Sequence, residues 1–255
     1  MAKTRAIVKK EQAEVMKNIE SMGDMGFEGA DVDAYAVPFL RVLQTNSPQV
    51  NEDEESYIKG AKPGMFFNTI ARKHYGKKIQ IIPVYYQRDF VEWLPDRGGF
   101  IRSHGPNPQI LDRVTERNER NQDILDNGNI IQDTKNHYVL VANNLEEGPV
   151  IFSLTSTGIK HSRTWMSRMR ELKTPGGKPA AMFTSVYEVT TVINENDDGK
   201  WYQIGDKHMT AIKRIGWVSK KQMEAAEEAY SLIASGKTRA DYDSLDSDKE
   251  ADEPF

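Results

Sequence analysis

Residues 79–93 read IQIIPVYYQRDFVEW, a run dominated by β-branched and aromatic side chains and interrupted by one proline. That composition predicts a long strand. Pro83 has no N–H to give to a ladder, so the strand must meet its neighbour at an edge or bulge there. Uninterrupted pleating sets Ile82, Val84, Tyr86, Arg88 and Phe90 on one face, and Ile81, Pro83, Tyr85, Gln87 and Trp93 on the other. Only one face can be core, so Tyr85 or Tyr86, with Trp93 or Arg88, should look outward.

Strand signals recur on both sides of this run, at 65–69, 100–103, 137–142, 150–155, 182–193 and 201–204. The loops at 143–148 and 194–199 join neighbouring runs as hairpins. A mainly β protein follows, and a proline inside its longest strand suits a small, strongly curved barrel. An apolar leading segment at 35–43 stops at Asn46-Ser47-Pro48, and the acids at 52–55 form a solvated loop. Residues 105–128 are a polar insertion, read as a long β-connection with one helical piece. Ser219 and Gln222 make a capping-box pattern that opens a helix running to about Ala234. The first thirty residues offer at most a short helix near 11–19. The expected organisation is a flexible arm (1–30), a β domain (31–218), a C-terminal helix (219–235) and a disordered acidic tail (236–255).

A helix is also predicted at 159–173. At 100° per residue, Ile159, Trp165, Met166, Met169 and Leu172 share one side, and Lys160, Arg163, Arg168 and Arg170 the other. Glu171 is the only acid between Gly158 and Lys173, leaving a net charge of +4. Ordinary solvated helices mix signs through i,i+4 pairs. A one-sign face points to a polyanion, although it also suits a helix that merely covers the barrel. Residues 59–102 add nine Lys or Arg against three acids, interleaved with aromatic rings that include Tyr75, Tyr85, Tyr86 and Trp93. Cations that track phosphates beside rings that stack on unpaired bases are what a single-stranded nucleic acid requires. The candidate DNA-binding residues are Tyr75, Lys77, Lys78, Tyr85, Tyr86, Arg88, Trp93, Lys160, Arg163, Arg168 and Arg170. Any one of the rings, taken alone, reads first as a core element, because aromatic side chains usually pack inside.

The net charge of −4 hides a division: residues 241–255 carry seven acids and one lysine, which leaves the rest of the chain mildly basic. So charged a segment cannot bury enough apolar surface to offset the entropy of ordering it. It serves either as a solubiliser or, given the ring at Phe255, as a docking element. Chemistry of other kinds finds little support. Cysteine is absent, which excludes disulfides and thiolate sites. The histidines His74, His104, His137, His161 and His208 show no metal-ligand spacing, and no cofactor motif occurs. Gly176-Gly177-Lys178 reads as a turn. Asp89, Glu92 and Asp96 are the carboxylates a magnesium-dependent nuclease would use, but they show no distinctive arrangement. No window is apolar enough for a membrane span, and no secretory signal is read at the start, so a cytoplasmic protein is expected.

The order Val37-Pro38-Phe39-Leu40, Ser47-Pro48, Tyr57-Ile58-Lys59-Gly60, Pro63-Gly64-Met65-Phe66-Phe67-Asn68-Thr69, Ile82-Pro83-Val84-Tyr85-Tyr86 and Val91-Glu92-Trp93 resembles tailed-phage single-stranded DNA-binding proteins over residues 35–217. The acidic, aromatic-tipped tail fits that plan. The resemblance implies an OB-type curved barrel with extra hairpins and one helix after the third core strand. It implies non-catalytic action on DNA in phage replication, recombination and repair, in the host bacterial cytoplasm. It further implies that the tail residues Asp246, Asp248, Glu250, Asp252, Glu253, Pro254 and Phe255 compete with DNA and dock replication proteins such as a polymerase or primase-helicase. A homo-oligomer is allowed. The alternatives are a phage nuclease, or a structural or regulatory protein whose tail only solubilises.

Overall fold

The computed structural model describes residues 36–95, 99–119, 122–196, 199–205, 211–236, 238–240 and 242, with residues 12, 14–19, 21–22 and 25–26 of the N-terminal arm. The arm contributes helical residues at 14–19, 21 and 22, close to the expected position. The body is mainly β and is built on a strongly curled half-barrel sheet.

Fourteen strands are formed among the described residues. In chain order they are β1 (Ala36–Val37), β2 (Leu40–Val42), β3 (Phe66–Asn68), β4 (Lys73–Gly76), β5 (Lys78–Trp93), β6 (Phe100–Ser103), β7 (Val114–Arg117), β8 (Asp123–Leu125), β9 (Ile130–Val141), β10 (Pro149–Leu154), β11 (Ser185–Asn196), β12 (Gly199–Ile204), β13 (Ile212–Trp217) and β14 (Arg239–Ala240). The centre of the sheet runs β13-β11-β5-β9-β10, all antiparallel. β12 extends the far half of β11, β6 the far end of β5, and the β7–β8 hairpin the start of β9. The insertion at 105–128 thus becomes a 3-10 turn, Pro108–Arg113, followed by that hairpin. Its apolar residues Ile110 and Leu125 pack under Phe90 and Ile131.

The proline in β5 determines which side chains share a face. The register with β9 slips between Pro83 and Tyr85, so one extra residue is inserted and the alternation inverts. Ile79, Ile81 and Pro83 then lie on the same face as Tyr86, Arg88 and Phe90, while Ile82 and Val84 share theirs with Tyr85, Gln87 and Trp93. This corrects the faces expected from uninterrupted pleating. Of the two expected options at Pro83, edge or bulge, the chain adopts a bulge, and it exchanges the face of every side chain beyond it.

Both faces of the sheet are covered. The helix Ile159–Glu171, hereafter α1, lays Trp165 and Met169 into the curl against Ile79, Ile81, Val139, Val141, Phe152, Tyr187 and Val189. The four cations are exposed and Trp165 and Met169 buried as the sequence predicts, but His161 and Ser162 are also buried, while Ile159, Met166 and Leu172 are only partly so. The helix Lys220–Ala234, α2, crosses the opposite face through Ala226, Ala229 and Ile233, which reach Ile82, Val84, Leu140 and Val186. Alanines at this contact let the helix approach the sheet closely. Its N-terminus carries the expected capping box between Ser219 and Gln222.

The C-terminal boundary differs from expectation. β14 pairs in parallel with β1, and Tyr242 is 4 % exposed between Phe39 and Phe100. Its hydroxyl donates to Asp89 (2.8 Å) and accepts from Asn136 (2.7 Å). Tyr242, counted among the tail's few apolar groups, therefore anchors the chain, because its ring completes an apolar cluster and its hydroxyl completes a buried polar one. The disorder expected of the tail concerns residues 243–255, which lie outside the described residues.

A small sheet, β2-β3-β4, closes one end, and β12 is fastened to its β2–β3 loop. The Gln44 side chain both donates to the Tyr202 carbonyl and accepts from its N–H, at 2.8 Å each, as a strand would. Gly64 sits at φ +86°, and a Cβ there would lie 2.4 Å from Cδ1 of Tyr202. Gly64→Ala is expected to lower stability by about 2–4 kcal/mol, from strained backbone plus overpacking. Urea unfolding measures this, and a loss under half a kilocalorie would contradict the assigned contact.

Candidate nucleic-acid interface

The exposed side of α1 is predominantly cationic. Lys160, Arg163, Arg168 and Arg170 are all exposed, and none forms an ion pair among the described residues. Arg168 and Arg170 sit in the last turn, where cations complement the helix dipole. Lys160, in a first turn without any acid, opposes it. The helix therefore keeps a charge that its own electrostatics disfavour.

Beneath α1 the sheet supplies its fixings. His137 on β9 is fully buried, its Nε2 is 2.8 Å from the Ser162 hydroxyl, and its ring lies 4.6 Å from that of Trp165. Burial holds this imidazole at a pKa of about 3, so it is neutral at pH 7. On its other side His137 meets Tyr86, 5.1 Å between ring centres. Tyr86 is half-buried at the margin of the helix. Burial and Asp133 raise its hydroxyl pKa, while Arg88 and Arg163 act in the opposite sense, which places both guanidinium groups within electrostatic reach.

The other expected DNA-binding residues are distributed unevenly. Arg88 is on the same face as Tyr86, but its guanidinium forms a two-point bond to Asp133 (2.9 and 2.8 Å) and lies 4.4 Å over Phe90. Lys135 shares the same carboxylate. Tyr85 and Trp93 lie on the opposite face: Tyr85 packs on Tyr138 and on Tyr230 of α2, and Trp93 packs on Phe100. They are corrected from outward rings to packing rings, the consequence of the register shift at Pro83. Tyr75 donates to Glu147, which also pairs with Lys73. Lys78 pairs with Glu188 at 3.2 Å. Lys77 lies over the Tyr202 ring at 4.6 Å. Of the sequence-predicted set, α1 and Tyr86 form one contiguous unit, and Tyr75, Lys77 and Lys78 lie apart at the β4–β5 end.

Cation–ring pairs form that the sequence does not predict, among them Lys77 with Tyr202 and Arg214 with Trp217. The second lay in plain view, since residues 212–217 read IKRIGW and alternate cations with apolar side chains.

Of the acids named for nuclease chemistry, Asp89 and Glu92 are engaged in hydrogen bonds. Asp89 accepts from Ser103 and Tyr242. Glu92, 1 % exposed, accepts from Asn127, Asn129, Arg102 and His104. Burial pushes the Glu92 carboxyl up, but these donors outweigh it and hold the pKa at about 2. Asp96 lies outside the described residues. Among the described residues, no group of three or more metal-ligating side chains is assembled, and no helix is long and apolar enough to cross a membrane.

The body is curled and mainly β, and the basic face of α1, unpaired among the described residues, lies beside the half-buried Tyr86. The chain belongs to the family described as Pam3 phage gp34-like protein, which matches residues 3–239 and marks it as a phage protein. No curated protein and no solved structure matches the chain.

Proposed function

We propose that this protein binds single-stranded DNA without regard to sequence, in phage DNA replication, recombination and repair, and that α1 with Tyr86 is the centre of its groove. The observation that carries this reading is the set of four exposed cations on α1, without acidic partners among the described residues and adjacent to Tyr86. Phosphates need such cations, and an unpaired base can stack on the ring.

The connectivity supports an OB-type reading. A long bent strand, β5, pairs with both β9 and β11; β10 follows β9; and α1 lies between β10 and β11, the place a helix takes after the third strand of that barrel. The insertion between β5 and β9 and the β11–β12 hairpin are then its long loops. In this reading the acidic tail competes with DNA for the basic surface and docks replication proteins such as a polymerase or primase-helicase, in the cytoplasm of the host. No step of it requires a cofactor or catalysis.

The test is fluorescence anisotropy with labelled oligonucleotides at several salt concentrations. Binding to single strands should be at least tenfold tighter than to duplex of the same length, and affinity should fall steeply with salt. Equal affinity for the two forms, or none, would overturn the proposal.

A further inference from the structure

The sheet face that carries Tyr86 continues as a row of cross-strand pairs between β5 and β9: Tyr86 with His137, Arg88 with Lys135, and Phe90 with Asp133. Arg88 follows Tyr86 by about 7 Å along its strand, close to the phosphate spacing of an extended single strand. It is the next cation beyond the ring on β5, and Asp133 holds it. Arg88 donates to that carboxylate through Nε and Nη2 (2.9 and 2.8 Å), and Lys135 donates through Nζ to both of its oxygens (2.7 and 3.0 Å). The two cations are not equivalent. The Lys135 side chain is 8 % exposed and needs a counter-charge, whereas that of Arg88 is 38 % exposed. Burial pushes the Asp133 carboxyl up, but Arg88 and Lys135 outweigh it and hold the group below the usual carboxylate range, so it is ionised at pH 7.

Lys135 already neutralises Asp133, and a partly exposed ion pair such as that of Arg88 adds little to stability. Its larger consequence is electrostatic. It withdraws one cation from the surface beside Tyr86, while the four on α1 are left unpaired among the described residues. We infer that Asp133 is the residue that limits the affinity of this surface for single-stranded DNA, by masking Arg88 and keeping it from a phosphate. The inference rests on the function proposed above and names a residue that sets the strength of its site. Arg88 also lies 4.4 Å over the Phe90 ring, so neutralising the acid should free its charge without releasing the side chain from its place.

The experiment measures single-strand affinity and its salt dependence by anisotropy for the full chain as wild type, Asp133→Asn, Asp133→Asn with Arg88→Ala, and Asp133→Asn with Lys135→Met. One more phosphate contact adds about 0.7 to the slope of log K against log salt, or about fivefold in affinity at 0.1 M salt. Asp133→Asn should gain that much, and adding Arg88→Ala should return both values to those of the wild type. Asp133→Asn strips the buried Lys135 of its carboxylate, so the Lys135→Met chain removes both charges together and should show the same gain in a stable fold. A folded variant of either kind with the wild-type slope, or a gain that survives Arg88→Ala, overturns the inference. Labelling of the wild type with phenylglyoxal, read by mass spectrometry, needs no variant: Arg88 should react severalfold more slowly than Arg163, and equal rates would also overturn it. If the wild type binds single strands and the variants match it, only the assignment of Asp133 falls. If the wild type binds none, the function proposed above falls and this inference with it.

Discussion

Replacing Lys160, Arg163, Arg168 and Arg170 together by alanine should lower the affinity for single-stranded DNA by on the order of 10²–10³-fold at 0.1 M salt. The figure follows from counterion release. Each phosphate contact on a single strand contributes about 0.7 to the slope of log K against log salt, so four contacts remove about 2.8. All four side chains are exposed and unpaired among the described residues, and alanine is a strong helix former, so the fold should survive. Arg88 provides the contrast. Its guanidinium is already neutralised by Asp133 and stacked on Phe90, so Arg88→Ala should change the salt slope little. Anisotropy titrations between 50 and 300 mM salt read both slopes. A quadruple variant that remains folded and keeps the wild-type slope would remove α1 from the interface.

That contrast also shows what the sequence could and could not reveal. The division of α1 was legible because helical periodicity is local: residues three and four apart share a face whatever the rest of the chain does. The capping box of α2 was legible for the same reason. The facing of β5 was not, because one inserted residue at Pro83 exchanges every side chain beyond it, and only pairing with β9 reveals where the insertion falls. Thus Arg88 was correctly named as a cation on the Tyr86 face, but its neutralisation depends on Asp133, 45 residues away. Tyr242 was obscured differently. Composition placed it in an acidic tail, whereas its partners Phe39, Asp89 and Asn136 are distant in sequence and join only in the folded sheet.

Acid should unfold this protein from an unusually high pH, and His137 should account for the first part of the loss. Its folded pKa is about 3, against about 6.5 when exposed, so between those values the unfolded chain holds more protons. Its contribution is complete above pH 6.5 and is lost progressively below it, up to about 4 kcal/mol by pH 3. Glu92 acts in the same direction but later, as pH falls from about 4.5 toward 2, because its depressed pKa stabilises the fold only while it is ionised. Of these two groups, only His137 titrates in the interval from pH 6.5 to 5. There the stability of the wild type should fall toward about 1.4 kcal/mol per pH unit, the limit for one proton. His137→Gln, which keeps a polar partner for Ser162 but cannot titrate, should flatten that interval even if it is less stable at pH 7. Because His137 fixes Ser162 and Trp165 of α1 to the sheet, DNA affinity should decline in step with stability in the wild type and lose that dependence in the variant. Urea unfolding and anisotropy at half-unit steps of pH test both. If His137→Gln keeps the wild-type slope, the buried imidazole is not the group that couples protons to the seating of the basic helix.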